Sequence, residues 1–197
     1  MNVLITLHGA NMPPASMDPI VQEIDRYFTL QKHITLVLPG DDTRGMPTKE
    51  ILSLDDIARD ICEQINSEDP DLNWRKVILF GESIGALVLA TAVQLMDVTP
   101  MAALFGEPPL SNGYGMRQMR SHFAKVDNPR ANALKNALGL MTEEPVDFKY
   151  LFSRPEYPVL LMFGLKRECD EITPFHSVIE QGELDSLPEH ANLLTCE

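Results

Sequence analysis

Cysteine is scarce in this chain and ill-placed for chemistry. Cys62, Cys169 and Cys196 are odd in number, widely spaced and form no C-x-x-C pair, which excludes a disulfide framework and a zinc ribbon. Positive charge is also short. Against 29 Asp and Glu there are 16 Lys and Arg, a net charge of −13. Such a surface repels phosphate backbones, so nucleic acid is not an expected partner. No apolar run approaches the roughly 18 residues that a membrane helix needs, and no basic n-region precedes the first apolar run, Val3–Leu7. Neither a membrane partner nor a signal peptide is expected, and the location predicted is the cytoplasm. There is no G-x-G-x-x-G, no P-loop Gly-Lys-[Ser/Thr], and no H-E-x-x-H among the five histidines. Dinucleotide, nucleoside-triphosphate and zinc-protease chemistries therefore have no motif to rest on.

The chain does hold a repeated alternation. Short apolar runs occur at Val3–Leu7, Ile34–Leu38, Val77–Phe80, Ala102–Phe105, Val159–Phe163 and Asn192–Thr195. They lack the polar–apolar alternation of a half-exposed strand, so both faces are expected to be covered, as in a parallel sheet between helix layers. The segments between them read as helices. In Leu54–Ile65 the apolar residues Leu54, Ile57, Ala58, Ile61 and Ile65 fall on one helical face. Ser53 precedes them as an N-cap, and Asp55 and Asp56 sit in the first turn, where the helix dipole favours carboxylates. Ala86–Met96 is apolar nearly all round and should be a central, buried helix. The pattern predicts one α/β domain over 1–197, a three-layer α/β/α sandwich on a mostly parallel sheet.

One stretch interrupts the alternation. Between Glu107 and Pro155 no strand pattern appears, and the sequence reads as helix from about Gly115 to Leu140. Seven Lys and Arg against five Asp and Glu give this stretch a net charge of +2, so the rest of the chain carries −15. It reads as a helical cap, 107–155, inserted within the domain. Arg117, Arg120, His122, Lys125, Arg130 and Lys135 make its helical part basic. Either they receive an anionic substrate group, such as a phosphopantetheine or an acidic acyl chain, or they form a solvated face beside an acidic body.

The motif that carries chemistry is Gly81-Glu82-Ser83-Ile84-Gly85. By itself G-x-S-x-G is weak, since about 7% of chains this long would carry it by chance at average Gly and Ser usage. Its setting makes it specific. It follows the buried strand Val77–Phe80 and opens the apolar helix from Ala86. A sharp turn there lifts the Ser hydroxyl above the sheet edge, and the flanking glycines remove side chains that would collide with strand and helix.

With His8-Gly9 directly after the strand Val3–Leu7, the chain resembles the α/β-hydrolase fold superfamily. The resemblance implies a minimal version of that fold, with Val3–Leu7 in the third-strand position, and Ser83 as the nucleophile. The amides of Ala10 and Ile84 would form an oxyanion hole, and His8 would be structural. The strand Pro158–Gly164 followed by Asp170-Glu171-Ile172-Thr173-Pro174 resembles the family's acid-bearing loop. That assigns Asp170 as the acid, with Glu168 and Glu171 as alternatives because the loop is longer than is common.

The family's histidine follows the next strand, and by that spacing it would fall just beyond Glu197. No Gly-His occurs near the end of the sequence. His190 is the substitute base within the chain, followed by His176, with His122 able to reach the site only from the cap. Either the natural chain runs on past Glu197 or the base is missing. The implied activity is a serine esterase or thioesterase that acts on a small acyl ester or thioester by two-step acyl transfer, with no metal or cofactor. A base-less binding module and an acyltransferase are the alternatives.

Overall fold

The computed structural model describes residues 2–10, 12–41, 43–46, 51, 53–112, 125, 129–142, 144–153, 156–164, 184, 187 and 192–196. Six strands form one sheet: β1 (Asn2–Leu7), β2 (Leu30–Leu36), β3 (Val77–Glu82), β4 (Ala102–Gly106), β5 (Val159–Gly164) and β6 (Asn192–Cys196). Their order across the sheet is β2-β1-β3-β4-β5-β6. All five pairings are parallel, as the unbroken apolar runs required.

Helices cover both faces, and the strands show which residue goes to which. In β3, Val77 and Leu79 join the core on one side, while Ile78 and Phe80 join the core on the other. Helix α1 (Asp18–Tyr27) supplies Ile24 to the Ile78–Phe80 side, together with Met17. Helices α2 (Leu54–Glu68), α3 (Ile84–Leu95) and α4 (Pro129–Ala137) supply the opposite side. Its five predicted apolar residues are all buried in α2. The Ser53 hydroxyl accepts from the Asp56 amide at 3.2 Å, capping the first turn. Ile57, Ile61 and Ile65 are at most 1% exposed, and burial of each stabilises the fold by about 2 kcal/mol. In α3 every residue from Ile84 to Val93 is buried.

Strand β2 differs from its reading. The apolar run Ile34–Leu38 predicted it, yet the strand is Leu30–Leu36. It lies at the sheet edge beside β1 alone, where one flank faces solvent and Gln31, Lys32 and His33 are tolerated. Leu38 leaves the strand but stays fully buried.

Between β4 and β5, the described residues pack into the body. Leu134, Ala137, Leu138, Phe148, Leu151 and Phe152 join the main core. Asn112 fastens this segment by donating from Nδ2 to the carbonyls of Gly139 (3.0 Å) and Glu144 (2.9 Å). Its Oδ1 accepts from the Val146 amide at 2.8 Å. Residues 113–124 and 126–128 lie outside the described residues. None of the helices among the described residues is long and apolar enough to cross a membrane.

Candidate active site

Strand order alone marks one place on the sheet. From β1 the chain crosses to β2 on one side, and then returns past β1 to β3 and onward to β6 on the other. Parallel sheets bind ligands outside the carboxyl ends of the strands where the order reverses. Here that point lies between the ends of β1 and β3, where His8-Gly9-Ala10 and Ser83 are found.

Ser83 links β3 directly to α3, with φ 52° and ψ −123°. An L-residue holds a positive φ at a cost of about 1–3 kcal/mol, and only where its surroundings fix it there. The Ser83 amide donates to the Gly106 carbonyl of β4 at 2.8 Å, and the Ser83 carbonyl accepts from the Ala86 amide at 3.0 Å. The two flanking glycines are required by close approach. A Cβ on Gly81 would stand 2.6 Å from the Ala86 Cα, and one on Gly85 would stand 2.6 Å from the His8 carbonyl oxygen. Helix α3 therefore packs its first turn directly on the end of β1. Ile84 is the first residue of that helix, so its amide is among those an α-helix leaves without an intrahelical acceptor. The positive end of the helix dipole lies at the same spot.

The β1 loop completes the geometry. Gly9 is against Ser83: a Cβ on Gly9 would lie 3.4 Å from the Ser83 Cβ. The Gly9 carbonyl accepts from His8 Nδ1–H at 2.8 Å and from the Met12 amide at 3.3 Å. In a trans peptide the N–H points opposite to the C=O, so the Ala10 amide is directed away from the His8 ring. His8 itself is fully buried. Its Nε2 accepts from the Leu38 amide at 3.4 Å, so both ring nitrogens are engaged in holding loops. Burial lowers its pKa below 6.5, against the upward pull of the Gly9 carbonyl and the nearby Asp41. His8 is thus a neutral structural group and not a base.

Asp41 and Arg130 also meet here. The Asp41 carboxylate accepts from the Thr43 amide (3.1 Å) and hydroxyl (2.9 Å). Burial pushes its pKa up, but the Thr43 hydrogen bonds and the nearby Arg130 guanidinium bring it below 3.8. Arg130, on α4, donates to the Ala10 carbonyl at 2.7 Å and lies 3.7 Å from the Asp41 carboxylate. Lys135 donates to Asn132 Oδ1 at 3.1 Å and is only 8% exposed. These two members of the basic stretch therefore have intramolecular acceptors. Sequence reasoning saw Arg130 only as part of that stretch; its partner Ala10 is 120 positions away.

On the α1 side, next to Ser83 in sequence, Glu82 lies over Gly106: a Cβ there would be 2.5 Å from Glu82 Oε2. Burial and then the negative charge of Glu107 push the Glu82 carboxyl above 4.5. The two glutamates border a largely apolar cavity of about 330 Å³ floored by Ile24, Phe80, Leu104 and Met162.

Of the residues predicted from sequence, Ser83 and Ile84 adjoin at the start of α3, and Ala10 follows Gly9, which lies against Ser83. Asp170 and His190 lie outside the described residues, as do Glu168, Glu171, His176, His122, Arg117 and Arg120.

No protein-family model and no curated protein matches the sequence. Solved structures do. A hydrolase from Oleispira antarctica superposes with a TM-score of 0.67 at 13% identity, covering 100% of this chain and 83% of that one. A lipase-esterase related protein from Clostridium acetobutylicum gives 0.65 at 11% identity, covering 100% and 85%. The chain has the α/β-hydrolase fold. A thioesterase of the prodiginine biosynthetic pathway from Streptomyces coelicolor shares that fold with it at a TM-score of 0.60 and 13% identity, covering 98% and 80%. At such identities, the likeness of these α/β-hydrolases to the present chain is one of architecture.

Proposed function

We propose that the chain is a serine hydrolase that cleaves a small carboxylic ester or thioester by two-step acyl transfer through Ser83. The observation that carries this reading is the Ser83 backbone. A non-glycine residue is kept at φ 52° immediately before the first turn of a buried helix, at the reversal point of the sheet. Backbone strain of this kind concentrates where a side chain must be aimed. The esterase and thioesterase names of structures with this fold support the same class of reaction.

In the proposed chemistry, Ser83 Oγ attacks the acyl carbonyl carbon and its proton passes to a histidine base. Within this sequence the candidates for that base are His190 and His176, with Asp170 to orient it. The amides of Ala10 and Ile84 hold the developing oxyanion; each such donor contributes about 10²–10³ in rate. Collapse of the adduct expels the alcohol or thiol, which takes the proton from the base. Water then attacks the acyl-enzyme, and the acid leaves as Ser83 regains its proton.

The test is covalent labelling with a fluorophosphonate, followed by peptide mapping, on the wild type and on Ser83→Ala. Labelling at Ser83 that disappears in the variant is the expected result. A wild-type chain that takes no label and turns over no p-nitrophenyl or thioester substrate would sink the enzyme reading.

A further inference from the structure

The proposed oxyanion donors are backbone amides, which no substitution other than proline can remove. Something must hold them, and for Ile84 the helix does. Ala10 sits instead in a tight loop, Gly9–Met12, closed by the Met12 amide on the Gly9 carbonyl. The Ala10 N–H lies in the Gly9–Ala10 peptide plane, and the path of the loop through Ala10 is set by that plane and the one after it. His8 fixes the first of these through the Gly9 carbonyl, at 2.8 Å. The second ends in the Ala10 carbonyl, whose partner is the Arg130 guanidinium at 2.7 Å.

We infer that Arg130 is a positioning residue for the Ala10 amide, a strut from α4 that locks the β1 loop with its N–H turned toward Ser83. Three observations support the assignment. First, a hydrogen bond from a charged donor is short and directional, so it constrains the carbonyl more than a neutral partner would. Second, Arg130 is itself held: the Asp41 carboxylate, 7% exposed in its side chain, lies 3.7 Å away. Asp41 is in turn fixed by Thr43. Third, the backbone makes room for the arginine. Gly40 has φ 77°, and a Cβ there would stand 2.9 Å from the Arg130 Cβ. Arg130 thereby joins the loops after β1 and β2 to α4, an element far along the chain. A group that merely neutralised Asp41 would have no need to reach the Ala10 carbonyl.

The kinetic half of the inference rests on Ser83 being the nucleophile; the geometric half does not. Both are read in the full chain with Arg130→Met, which keeps the length of the side chain and removes its donors. Arg130→Lys is the conservative rescue. With 13C-carbonyl alanine in the protein, the Ala10 carbonyl resonance is expected to move upfield in R130M and to return part of the way in R130K. An unmoved resonance overturns the strut, whether or not Ser83 takes a label. On a short neutral p-nitrophenyl ester, R130M should lower kcat about tenfold at unchanged KM, a partial loss of one donor that is worth more when removed outright. R130K should recover part of that kcat. A raised KM with kcat intact would mean that Arg130 binds substrate and would overturn the positioning role. If a thermal melt shows R130M to be unfolded, Asp41→Asn replaces it. Losing its anchor should then move the Ala10 resonance and kcat in the same directions by less, and no change in either counts against the strut.

Discussion

Ser83 and Glu107 occupy matching places on neighbouring strands, one just past the end of β3 and the other just past the end of β4. Both are non-glycine residues with positive φ, 52° and 46°. The third such residue among those described, Asp97 at φ 51°, follows the C-terminus of α3, where helices commonly end in this conformation. Ser83 and Glu107 have no such excuse. Each amide is tied to the next strand: Ser83 to the Gly106 carbonyl and Glu107 to the Met162 carbonyl, both at 2.8 Å. The supports then diverge. Ser83 turns at once into a buried helix whose flanking glycines permit contact closer than any side chain would allow. Glu107 is followed by Pro108 and Pro109 and the start of the long β4–β5 segment. One turn passes straight into a buried helix; the other passes into a proline-marked segment, Pro108–Leu110, that stays buried without forming a helix or strand. Strain at a rigid position aims a side chain, whereas strain at a loop entrance sets the path of the chain.

That contrast breaks most sharply at the serine itself. Ser83→Ala should abolish ester turnover by at least about 10³-fold while the melting temperature stays close to wild type, because nucleophiles act as all-or-none members of their machinery. Glu107→Ala, the matched change, should leave most of the activity. Steady-state kinetics on both variants decide the point, and equal losses would erase the distinction between the two turns.

The next effect is on packing. Gly85→Ala places a methyl group against the carbonyls of Leu7 and His8. Overpacking of this kind costs about 1–3 kcal/mol, and here it falls on backbone that cannot rotate away. Urea unfolding should show the loss, accompanied by a fall in activity because the β1 loop moves with it.

Glycine at each turn measures the strain directly. Ser83→Gly and Glu107→Gly relieve a positive φ but raise the entropy of the unfolded chain, for a net gain of about 1 kcal/mol at each. The comparison predicts that Ser83→Gly gains stability at the complete expense of activity and that Glu107→Gly gains it with little loss. Paired denaturation and activity measurements would show whether strain and function coincide at Ser83 alone.

Much of this was legible in the sequence, and the reasons are local. Strands β1, β3, β4 and β5 are covered on both sides, so burial wrote itself as unbroken apolar runs. The edge strand β2 was misplaced by four residues at its start, because Gln31, Lys32 and His33 need no cover there. Helix α1 was not singled out, although Ile20, Val21 and Ile24 share a helical face and pack on the Ile78–Phe80 side. At the site, Ser83 and the His8-Gly9 pair announced themselves because the turn chemistry demands glycines at fixed offsets. Arg130 did not. Its partners are a backbone carbonyl 120 positions distant and a carboxylate on another loop, and no local pattern encodes such a meeting. The same holds for Glu82, whose neighbour Glu107 is brought beside it only by strand pairing.

That last pair gives the smallest and most selective test. Glu82 is partly buried above Gly106, and both its burial and the charge of Glu107 favour its neutral form, so its folded pKa lies above the unfolded value of 4.5. Between those two values the native state keeps a proton that the unfolded chain has released. Stability should therefore fall as pH rises from 4.5 through the folded pKa of Glu82. Glu82→Gln should flatten that descent, and Glu107→Gln should flatten it less, since it removes the second cause and leaves burial. His8 acts in the opposite sense: its folded pKa lies below 6.5, so its contribution is complete above pH 6.5 and is lost as pH falls toward the folded value. Unfolding free energies at closely spaced pH values for the wild type and the two glutamine variants separate these slopes. If E82Q retains the wild-type descent, the carboxyl beside the serine is better solvated than its place over Gly106 implies, and the rigid turn ends at Ser83 itself.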